Sequence, residues 1–197
     1  MRIGIISDVH GDYDALSTTL DRLYQHHQVT HVLCAGDLIG RGPEQDRVVE
    51  TMQRNEIICV RGNHDEWFSA VRPENAQYLK GLPIDWRGYV GSTAIFMCHG
   101  KPGNNMWGMY RDHLSETYLE MVLSSLNVDV LVTGHTHVPL YLRVSRGVLV
   151  NPGSLYTFES QRSSSHTYGV LHLDTLRFEV FDTEIRSREP VRVEVES

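Results

Sequence analysis

Short apolar runs alternate with amphipathic stretches in the first sixty residues. The apolar runs are rich in β-branched residues and end in turn-forming residues, which is typical of buried strands. Three such strands are predicted, at 3–7, 31–37 and 57–60. Between them, residues 14–26 have leucines at helical spacing, and Pro43 suits the first turn of a helix that places Val48, Val49 and Met52 on one face. This β-α-β-α-β order predicts a parallel sheet with right-handed crossover helices.

The pattern is less regular from 66 to 92, where Pro and Gly interrupt it. Beyond that stretch the sequence predicts a helix at 112–126 and five strands, at 94–98, 129–134, 147–153, 168–174 and 177–182. The last two strands are separated by a short turn and are expected to form a hairpin. The polar, alternating tail 188–197 is expected to form an edge strand or to fray. Since no linker or repeat interrupts the chain, we predict one domain over 1–197.

Composition restricts the class of protein. Of the 197 residues, 41% are hydrophobic and 22% are charged, which is enough apolar surface for a folded core. The net charge of −7 argues against stable nucleic-acid binding through a basic face. No apolar run approaches the roughly 20 residues of a membrane helix, and the N-terminus lacks a signal-peptide pattern, so we expect a cytoplasmic protein without membrane contact. Cys34, Cys59 and Cys98 lie in apolar runs and predict buried thiols, not disulfides.

Five of the predicted strands end in polar side chains that can bind metal ions. These side chains are Asp8 and His10, Asp37, Asn63 to Asp65, His99, and His135 with His137. Because the carboxyl ends of strands in an open α/β sheet lie along one edge, the five groups are expected to meet. Each group alone has an ordinary alternative as a turn former or a helix cap. Their joint occurrence favours a functional site.

The donor atoms of these side chains indicate the kind of ion. Carboxylate oxygens, imidazole nitrogens and one amide oxygen together suit Mn²⁺, Fe or Zn²⁺ better than Ca²⁺. The i, i+2 pairs lie just past a strand end, where the backbone bends, so each pair can reach two neighbouring ions. Asp37 stands alone after its strand and is the natural carboxylate bridge between those ions.

Six motifs follow one another in a fixed order: SDVHG at 7–11, GDLIGRGP at 36–43, GNHD at 62–65, HG at 99–100, GHTH at 134–137 and NPGS at 151–154. In this order and spacing they resemble the motifs of the calcineurin-like metallophosphoesterases, and the short chain resembles the small prokaryotic phosphodiesterases of that family. The resemblance implies a four-layer α/β/β/α sandwich with a dinuclear metal site between the two sheets. It also implies that the NPGS turn lies beside the site.

The resemblance further implies residue roles. One divalent ion would be bound by Asp8, His10, Asp37 and His137. The other would be bound by Asp37, Asn63, His99 and His135. His64 matches the catalytic histidine of the family, and Arg41 matches its phosphate-binding arginine, with Asn63 also facing substrate.

The sequence departs from the family pattern at three positions. Gly40 replaces an Asp that orients the catalytic histidine in the protein phosphatases, so either Asp65 orients His64 here or no residue does. Small phosphodiesterases often have an aromatic residue where this chain has Arg41. The fourth motif continues with Lys101 in place of a histidine, and Lys101 is a candidate extra phosphate contact.

The expected mechanism is hydrolysis by a hydroxide that bridges two divalent ions and attacks phosphorus in line. Mn²⁺ is the expected ion, with Fe, Ni²⁺ or Zn²⁺ as alternatives. His64 would protonate the leaving oxygen, and Asp65 or a backbone carbonyl would hold its tautomer. Arg41 would donate charge-assisted hydrogen bonds to a phosphoryl oxygen, or else be a solvated loop arginine.

Several functions remain open at this stage. A phosphodiesterase acting on a small phosphate ester or nucleotide is the leading hypothesis. A Ser/Thr protein or dinucleotide polyphosphate phosphatase, favoured by Arg41, and a non-catalytic scaffold are the alternatives. Assembly into a homo-oligomer is left open. In the segment 101–112, Trp107 and Tyr110 are expected to cover an edge of the core, the alternative being a substrate lid that stacks on a base. No functional role is assigned to Trp67.

Overall fold

Eleven strands and four α-helices make up the computed structural model, which describes residues 1–156, residues 166–183 and the backbone of 191–193. The helices are α1 (Tyr13–Asp21), α2 (Gln45–Arg54), α3 (Pro73–Gly81) and α4 (Glu116–Leu126). The strands are β1 (Arg2–Ile6), β2 (His31–Cys34), β3 (Ile58–Cys59), β4 (Asp85–Val90), β5 (Thr93–Cys98), β6 (Val130–Val132), β7 (Leu140–Arg143), β8 (Val148–Asn151), β9 (Thr167–His172), β10 (Arg177–Asp182) and β11 (Val191–Val193).

The strands form two mixed sheets. The first sheet has the order β11-β10-β9-β1-β2-β3, and β1, β2 and β3 are parallel to one another as predicted. The predicted hairpin is the antiparallel pair of β9 and β10, and β11 forms the edge, where the polar tail was expected. The second sheet has the order β4-β5-β6-β8-β7, in which β5, β6 and β8 are parallel.

Three apolar layers hold these elements together. Ile3 and Ile5 of the first sheet pack against Ile95 and Val130 of the second, so the two sheets bury their inner faces against each other. A second cluster lies between the first sheet and helices α1, α2 and α3, and a third lies between the second sheet and α4. The fold is therefore an α/β/β/α sandwich of four layers, which confirms the expectation.

Local sequence explains the helix boundaries. Asp12 caps α1 by accepting a hydrogen bond from the backbone N–H of Ala15, and Ser115 caps α4 in the same way through Tyr118. The predicted helix 14–26 continues past α1 as one π-helical turn to His26. The prediction that Pro43 opens the second helix is early by two residues, since α2 begins at Gln45 after Glu44.

Three elements were not predicted from the sequence. Helix α3 buries only Asn75, Ala76 and Leu79, and strands β4 and β7 lie at the two edges of their sheet with mostly half-exposed residues. Edge strands are held by hydrogen bonds to one neighbour and show little apolar alternation, so the pattern that predicts strands is weak there. Among the residues described, no helix has the length and apolar character needed to cross a membrane.

Candidate metal centre

The predicted ligands follow the carboxyl ends of strands from both sheets. β1, β2 and β3 of the first sheet lead into Asp8, Asp37 and Asn63, whereas β5 and β6 of the second lead into His99 and His135. Face-to-face packing of the sheets brings the two sets of loops together. The polar groups therefore lie close together, as expected, but they come from two sheets and not from the edge of one sheet.

The backbone at five predicted ligands lies in the left-handed region. These residues are Asp8 (φ 53°), His10 (φ 48°), Asp37 (φ 56°), His135 (φ 67°) and His137 (φ 57°). A positive φ is uncommon outside glycine and is unfavourable by about 1 kcal/mol or more per residue, so it persists where surrounding contacts impose it. Its concentration here indicates that the fold holds these side chains in place at the expense of backbone strain.

One group of donor atoms gathers around Asp8. Its Oδ1 lies 3.0 Å from Nε2 of His137 and 3.8 Å from Nε2 of His10, and those two nitrogens are 3.4 Å apart. Oδ2 of Asp37 is 3.7 Å from the same His10 nitrogen. Two donor atoms that bind the same ion with bonds of about 2.1 Å lie about 3.0–3.4 Å from each other. The spacings around Asp8 therefore fit a common ion after small adjustments.

A second group of donor atoms lies on the other side of Asp37. Asp37 Oδ2 is 3.3 Å from Nε2 of His99, which is 3.1 Å from Oδ1 of Asn63. Nδ1 of His135 is 3.0 Å from that Asn63 oxygen and 3.2 Å from the His99 nitrogen. Asp37 Oδ2 therefore belongs to both groups, while Asp37 Oδ1 accepts a hydrogen bond from the backbone N–H of His64 at 2.8 Å.

Backbone carbonyls fix which nitrogen of each imidazole faces the site. Nδ1 of His99 donates to the carbonyl of Ala35 at 2.8 Å, and Nδ1 of His10 donates to the carbonyl of Ile39 at 3.2 Å. Each bond engages Nδ1 and turns Nε2 into the cluster, so Nε2 is the nitrogen that faces a bound ion. Outer hydrogen bonds of this kind orient metal-binding histidines in proteins generally.

The electrostatics of the cluster favour a cation. Burial opposes the imidazolium of His99, yet the carboxylates of Asp37 and Asp8 outweigh that effect and raise its pKa to about 9. Burial opposes the charged form of Asp8 as well, but His137, His99 and His10 together lower its pKa well below the usual range. Asp8 Oδ1 is buried and faces the ring nitrogens of His137 and His10, whereas Oδ2 accepts from Ser7 Oγ at 2.6 Å and from the backbone N–H of His135 at 3.0 Å. A buried carboxylate oxygen that faces two imidazole nitrogens fits an ion at this position.

His64 lies at the margin of the cluster and packs against two rings. Its ring centroid is 4.9 Å from that of His10 and 4.3 Å from that of Trp67. Its Nδ1 is buried and accepts no hydrogen bond from, and donates none to, the residues described. A Cβ built on Gly40 would lie 2.7 Å from this nitrogen and 3.0 Å from the Cβ of His64, so the backbone at Gly40 packs directly against the His64 side chain and leaves no space for a larger residue. Burial, followed by the nearby Arg41 cation, lowers the pKa of His64.

The structure corrects the expectation that Asp65 orients the His64 ring. The Asp65 carboxylate accepts four backbone N–H bonds, from Asp37 (2.9 Å), Leu38 (2.7 Å), Ile39 (3.2 Å) and Gly62 (2.8 Å). It is fully buried, and burial together with the charge of Asp37 raises its pKa to about 7. Neighbouring residues of a 3₁₀ turn point in different directions, so Asp65 lies beneath the Asp37 loop while His64 faces outward.

The remaining predicted residues, Arg41 and Lys101, are exposed to solvent. Arg41 is exposed, and its backbone N–H donates to the carbonyl of His10 at 3.3 Å. Lys101 places its Nζ 6.0 Å from the ring centre of Trp107. The expectation that Trp107 and Tyr110 cover a core edge is wrong, because they are 66% and 45% exposed. Met109 between them is the buried residue of this segment.

Sequence reasoning missed Trp67, which packs on His64 and lies three residues beyond it, within the 3₁₀ region that follows the third motif. Its position next to that motif was the available signal. The NPGS turn lies beside the site as the resemblance implied, and the structure adds its contacts. Ser154 Oγ donates to the carbonyl of Asp8 at 3.0 Å, and Asn151 Nδ2 donates to the carbonyl of Gly134 at 2.8 Å. The NPGS motif thus connects the Asp8 loop to the GHTH loop.

Known proteins resemble this chain along most of its length. The family model "Calcineurin-like phosphoesterase superfamily domain" matches residues 1–176. Phosphodiesterase YfcE of Escherichia coli (strain K12) is 27% identical over 190 residues, covering 89% of this chain and 90% of YfcE. The solved structure of hypothetical protein PH1004 from Pyrococcus horikoshii OT3 has a TM-score of 0.79 at 18% identity, over 92% of this chain and 87% of PH1004. Wild-type Vps29 from Entamoeba histolytica complexed with Zn²⁺ has a TM-score of 0.65 at 24% identity, over 98% of each chain.

Proposed function

This chain belongs to the calcineurin-like phosphoesterase superfamily and is a phosphoester hydrolase, and from that premise we propose that it hydrolyses phosphodiesters at a dinuclear metal centre. The observation that carries the proposal is the position of Asp37 Oδ2. It lies 3.7 Å from the His10 nitrogen of one donor group and 3.3 Å from the His99 nitrogen of the other. A single carboxylate oxygen common to two donor groups is the arrangement that two neighbouring ions need.

Two divalent ions are assigned to these groups. Asp8, His10, Asp37 and His137 would hold one ion, and Asp37, Asn63, His99 and His135 would hold the other. When bound, such ions acidify water near neutral pH and neutralise the charge that develops on the phosphoryl oxygens. Mn²⁺ is the proposed ion because the donors mix carboxylate, imidazole and amide, and Fe, Ni²⁺ and Zn²⁺ are the alternatives to be compared.

His64 is assigned the transfer of a proton to the leaving oxygen. One of its ring nitrogens lies within 4.8 Å of ligand atoms of His10 and Asp37, and its buried Nδ1 has no bond within the described chain that would immobilise it. The rings of Trp67 and His10 restrict its orientation instead. Asp65 is a positioning residue in this proposal, because its carboxylate holds the backbone that presents Asp37.

Arg41 is assigned to a non-bridging phosphoryl oxygen. The support is its proximity to His64, whose pKa it lowers after the larger effect of burial. Asn63 is assigned to the second ion and faces the substrate from there, and Lys101 is a further phosphate contact in the proposal. A guanidinium can donate two parallel hydrogen bonds to phosphate, which an ammonium group cannot do.

A diester is proposed in preference to a monoester because YfcE, similar to this chain over nine-tenths of its own length, is named a phosphodiesterase. Arg41 favours the second candidate, a Ser/Thr protein or dinucleotide polyphosphate phosphatase. The two are separated by comparing bis-p-nitrophenyl phosphate with p-nitrophenyl phosphate under one metal. A preference for the monoester would move the proposal to the second candidate.

A scaffold on the same fold is the third candidate, since Vps29 is among the structural neighbours. Convergent metal donors do not separate these candidates, because that Vps29 structure contains Zn²⁺. A scaffold predicts metal binding without turnover, whereas the proposed hydrolase predicts turnover that depends on the bound metal.

The test begins with chelated protein and bis-p-nitrophenyl phosphate, with Mn²⁺, Fe²⁺, Ni²⁺, Zn²⁺ or Mg²⁺ added back singly. Turnover restored by Mn²⁺ is the expected result. His64→Ala is then expected to retain metal and to lose turnover by about 10²-fold, as for loss of a general acid. His31→Ala is the matched control, because His31 is exposed at the opposite end of the first sheet. Absence of bound metal after add-back would overturn the proposal.

A further inference from the structure

The segment after His99 presents aromatic side chains to solvent. Trp107 is 66% exposed and Tyr110 is 45% exposed, while Met109 between them is 4% exposed and packs in the cluster under α4. The Tyr110 ring has one aromatic neighbour, His113, at 6.1 Å between ring centroids, and its exposed part offers a surface on which a planar ligand can stack. The buried methionine fixes the segment, so the neighbouring rings are held at the surface.

This segment lies directly against the loop that contains His135 and His137. A Cβ built on Gly108 would be 2.6 Å from Cγ2 of Thr136, 3.1 Å from Cδ2 of His135 and 3.1 Å from Cε2 of Tyr110. The Tyr110 ring and the His135 ring are therefore neighbours across Gly108. The facing loop is rigid, because Asn151 Nδ2 donates both to the carbonyl of Gly134 at 2.8 Å and to Thr136 Oγ1 at 3.2 Å.

A cavity of about 200 Å³ opens between the segment and the loop. Its apolar walls are formed by Met109, the Tyr110 ring, Val138, Pro139 and Leu140, and Thr136 lines the side nearest the donor groups. Sites for whole small ligands have volumes of about 300–1,000 Å³, so this cavity suits one planar ring of a larger molecule whose other parts bind elsewhere.

The rim of the cavity indicates which ring it suits. Arg111 and Asp112 line the rim and are exposed, and they offer a hydrogen-bond donor and an acceptor to the edge of a ring. A nucleobase has donors and acceptors along its edge and π faces above and below, whereas a hydrocarbon ring has no polar edge. Stacking on an aromatic side chain with polar contacts at the edge is how proteins bind exposed bases.

We propose that this cavity is a subsite for the nucleobase of a nucleoside phosphodiester, with Tyr110 as the stacking residue and the phosphate placed at the donor groups of Asp8 and Asp37. The placement of the phosphate rests on the proposed function, whereas the base subsite rests on the cavity, the exposed ring and the contact across Gly108. Tyr110 is a specificity residue in this proposal and takes no part in bond cleavage.

The first test measures binding without turnover. Mn²⁺-treated protein is titrated with adenosine 5′-monophosphate and, separately, with ribose 5-phosphate, by calorimetry. We expect the nucleotide to bind about 5-fold to 150-fold more tightly, the range that stacking of one base contributes. Tyr110→Ala should remove most of this advantage and Tyr110→Phe should keep it. Tyr89→Ala is the matched control, because Tyr89 is 68% exposed on the edge strand β4, near the end opposite the donor groups.

The second test uses two esters with the same leaving group, thymidine 5′-(p-nitrophenyl phosphate) and methyl p-nitrophenyl phosphate. Tyr110→Ala should raise KM for the nucleoside ester and leave the methyl ester unchanged. Equal affinity of wild type for the nucleotide and ribose 5-phosphate, no saturable nucleotide binding, or an advantage that survives in Tyr110→Ala would each overturn the subsite. No turnover of either ester with any metal would overturn the proposed diesterase function, and the binding comparison would still decide the subsite.

Discussion

Gly62→Ala tests whether the position of the Asp37 carboxylate controls metal binding. Gly62 packs against the Asp37 loop so closely that an added Cβ would lie 2.0 Å from Asp37 Oδ1 and 2.4 Å from its backbone nitrogen. Such contacts are not found below 3.0 Å, so the carboxylate or the loop has to move by about 1 Å. The same carboxylate supplies Oδ2 to both donor groups.

The expected size of the effect follows from this displacement. A misplacement of about 1 Å at a reacting centre lowers turnover by about 10²-fold. Overpacking of a well-packed interior is unfavourable by about 1–3 kcal/mol, and each kcal/mol lowers Tm by about 2–4 °C for a chain of this length. Gly62→Ala should therefore remain folded, with a Tm lowered by about 2–12 °C, and should lose most of its metal and its activity.

Gly81→Ala is the matched control for this experiment. Gly81 ends α3, and a Cβ at this position meets no atom within 4 Å. The same chemical change should there leave metal content and turnover unaltered and raise stability slightly, because alanine favours the helix. Metal content is measured by mass spectrometry, Tm by calorimetry and turnover with bis-p-nitrophenyl phosphate. Normal metal content and turnover in Gly62→Ala would refute the reasoning.

Three further substitutions address the support of the site. Asp37→Asn should release both ions, since Asp37 Oδ2 belongs to both donor groups, and loss of one ion alone in the metal analysis would contradict the bridging assignment. Asp65→Asn replaces an oxygen that accepts hydrogen bonds from two backbone N–H groups by an NH₂ group, which is a donor. Each of the two buried N–H groups is then left without an acceptor, which lowers the free energy of unfolding by about 1–3 kcal/mol. Calorimetry should show a Tm lower by about 4 °C or more. Trp67→Ala should lower kcat by up to about 10²-fold at unchanged metal content, because the ring that restricts His64 is lost. Trp67→Phe should have a kcat close to that of the wild type. An unchanged kcat in Trp67→Ala would show that His64 does not depend on that ring.

Most of the fold could be predicted because its strands are short, apolar and fully buried. β1, β5, β6 and β8 have nearly uninterrupted buried residues, which is the pattern that apolar periodicity detects. The edge strand β4 consists mainly of exposed and half-buried residues and contains Gly88, so its composition does not predict a strand. Its hydrogen bonds to β5 hold it in the extended conformation. The local pattern of apolar residues thus identifies the central strands and misses the edge strands, which are held by one neighbouring strand.

The side-chain directions around the site depended on tertiary contacts. Asp65 directly follows His64, and the sequence suggested a contact between them, but the N–H groups of the Asp37 loop draw the carboxylate inward. Trp67 had no motif of its own, and its ring contact with His64 results from the 3₁₀ turn and the packing of the loop. The exposure of Tyr110 likewise depends on Met109, which fills the space beneath the segment.

The sequence by itself determined which donor atoms are available, because each polar group directly follows an apolar run and chain connectivity alone places it at a strand end. Only the tertiary structure decided how those groups are divided between two sheets and which atom of each faces the centre. The reason is that an imidazole takes its orientation from its outer hydrogen bond, and for His99 that bond goes to the carbonyl of Ala35, 64 residues away in the chain. Packing of the two sheets brings this carbonyl to His99 and so turns Nε2 toward Asp37.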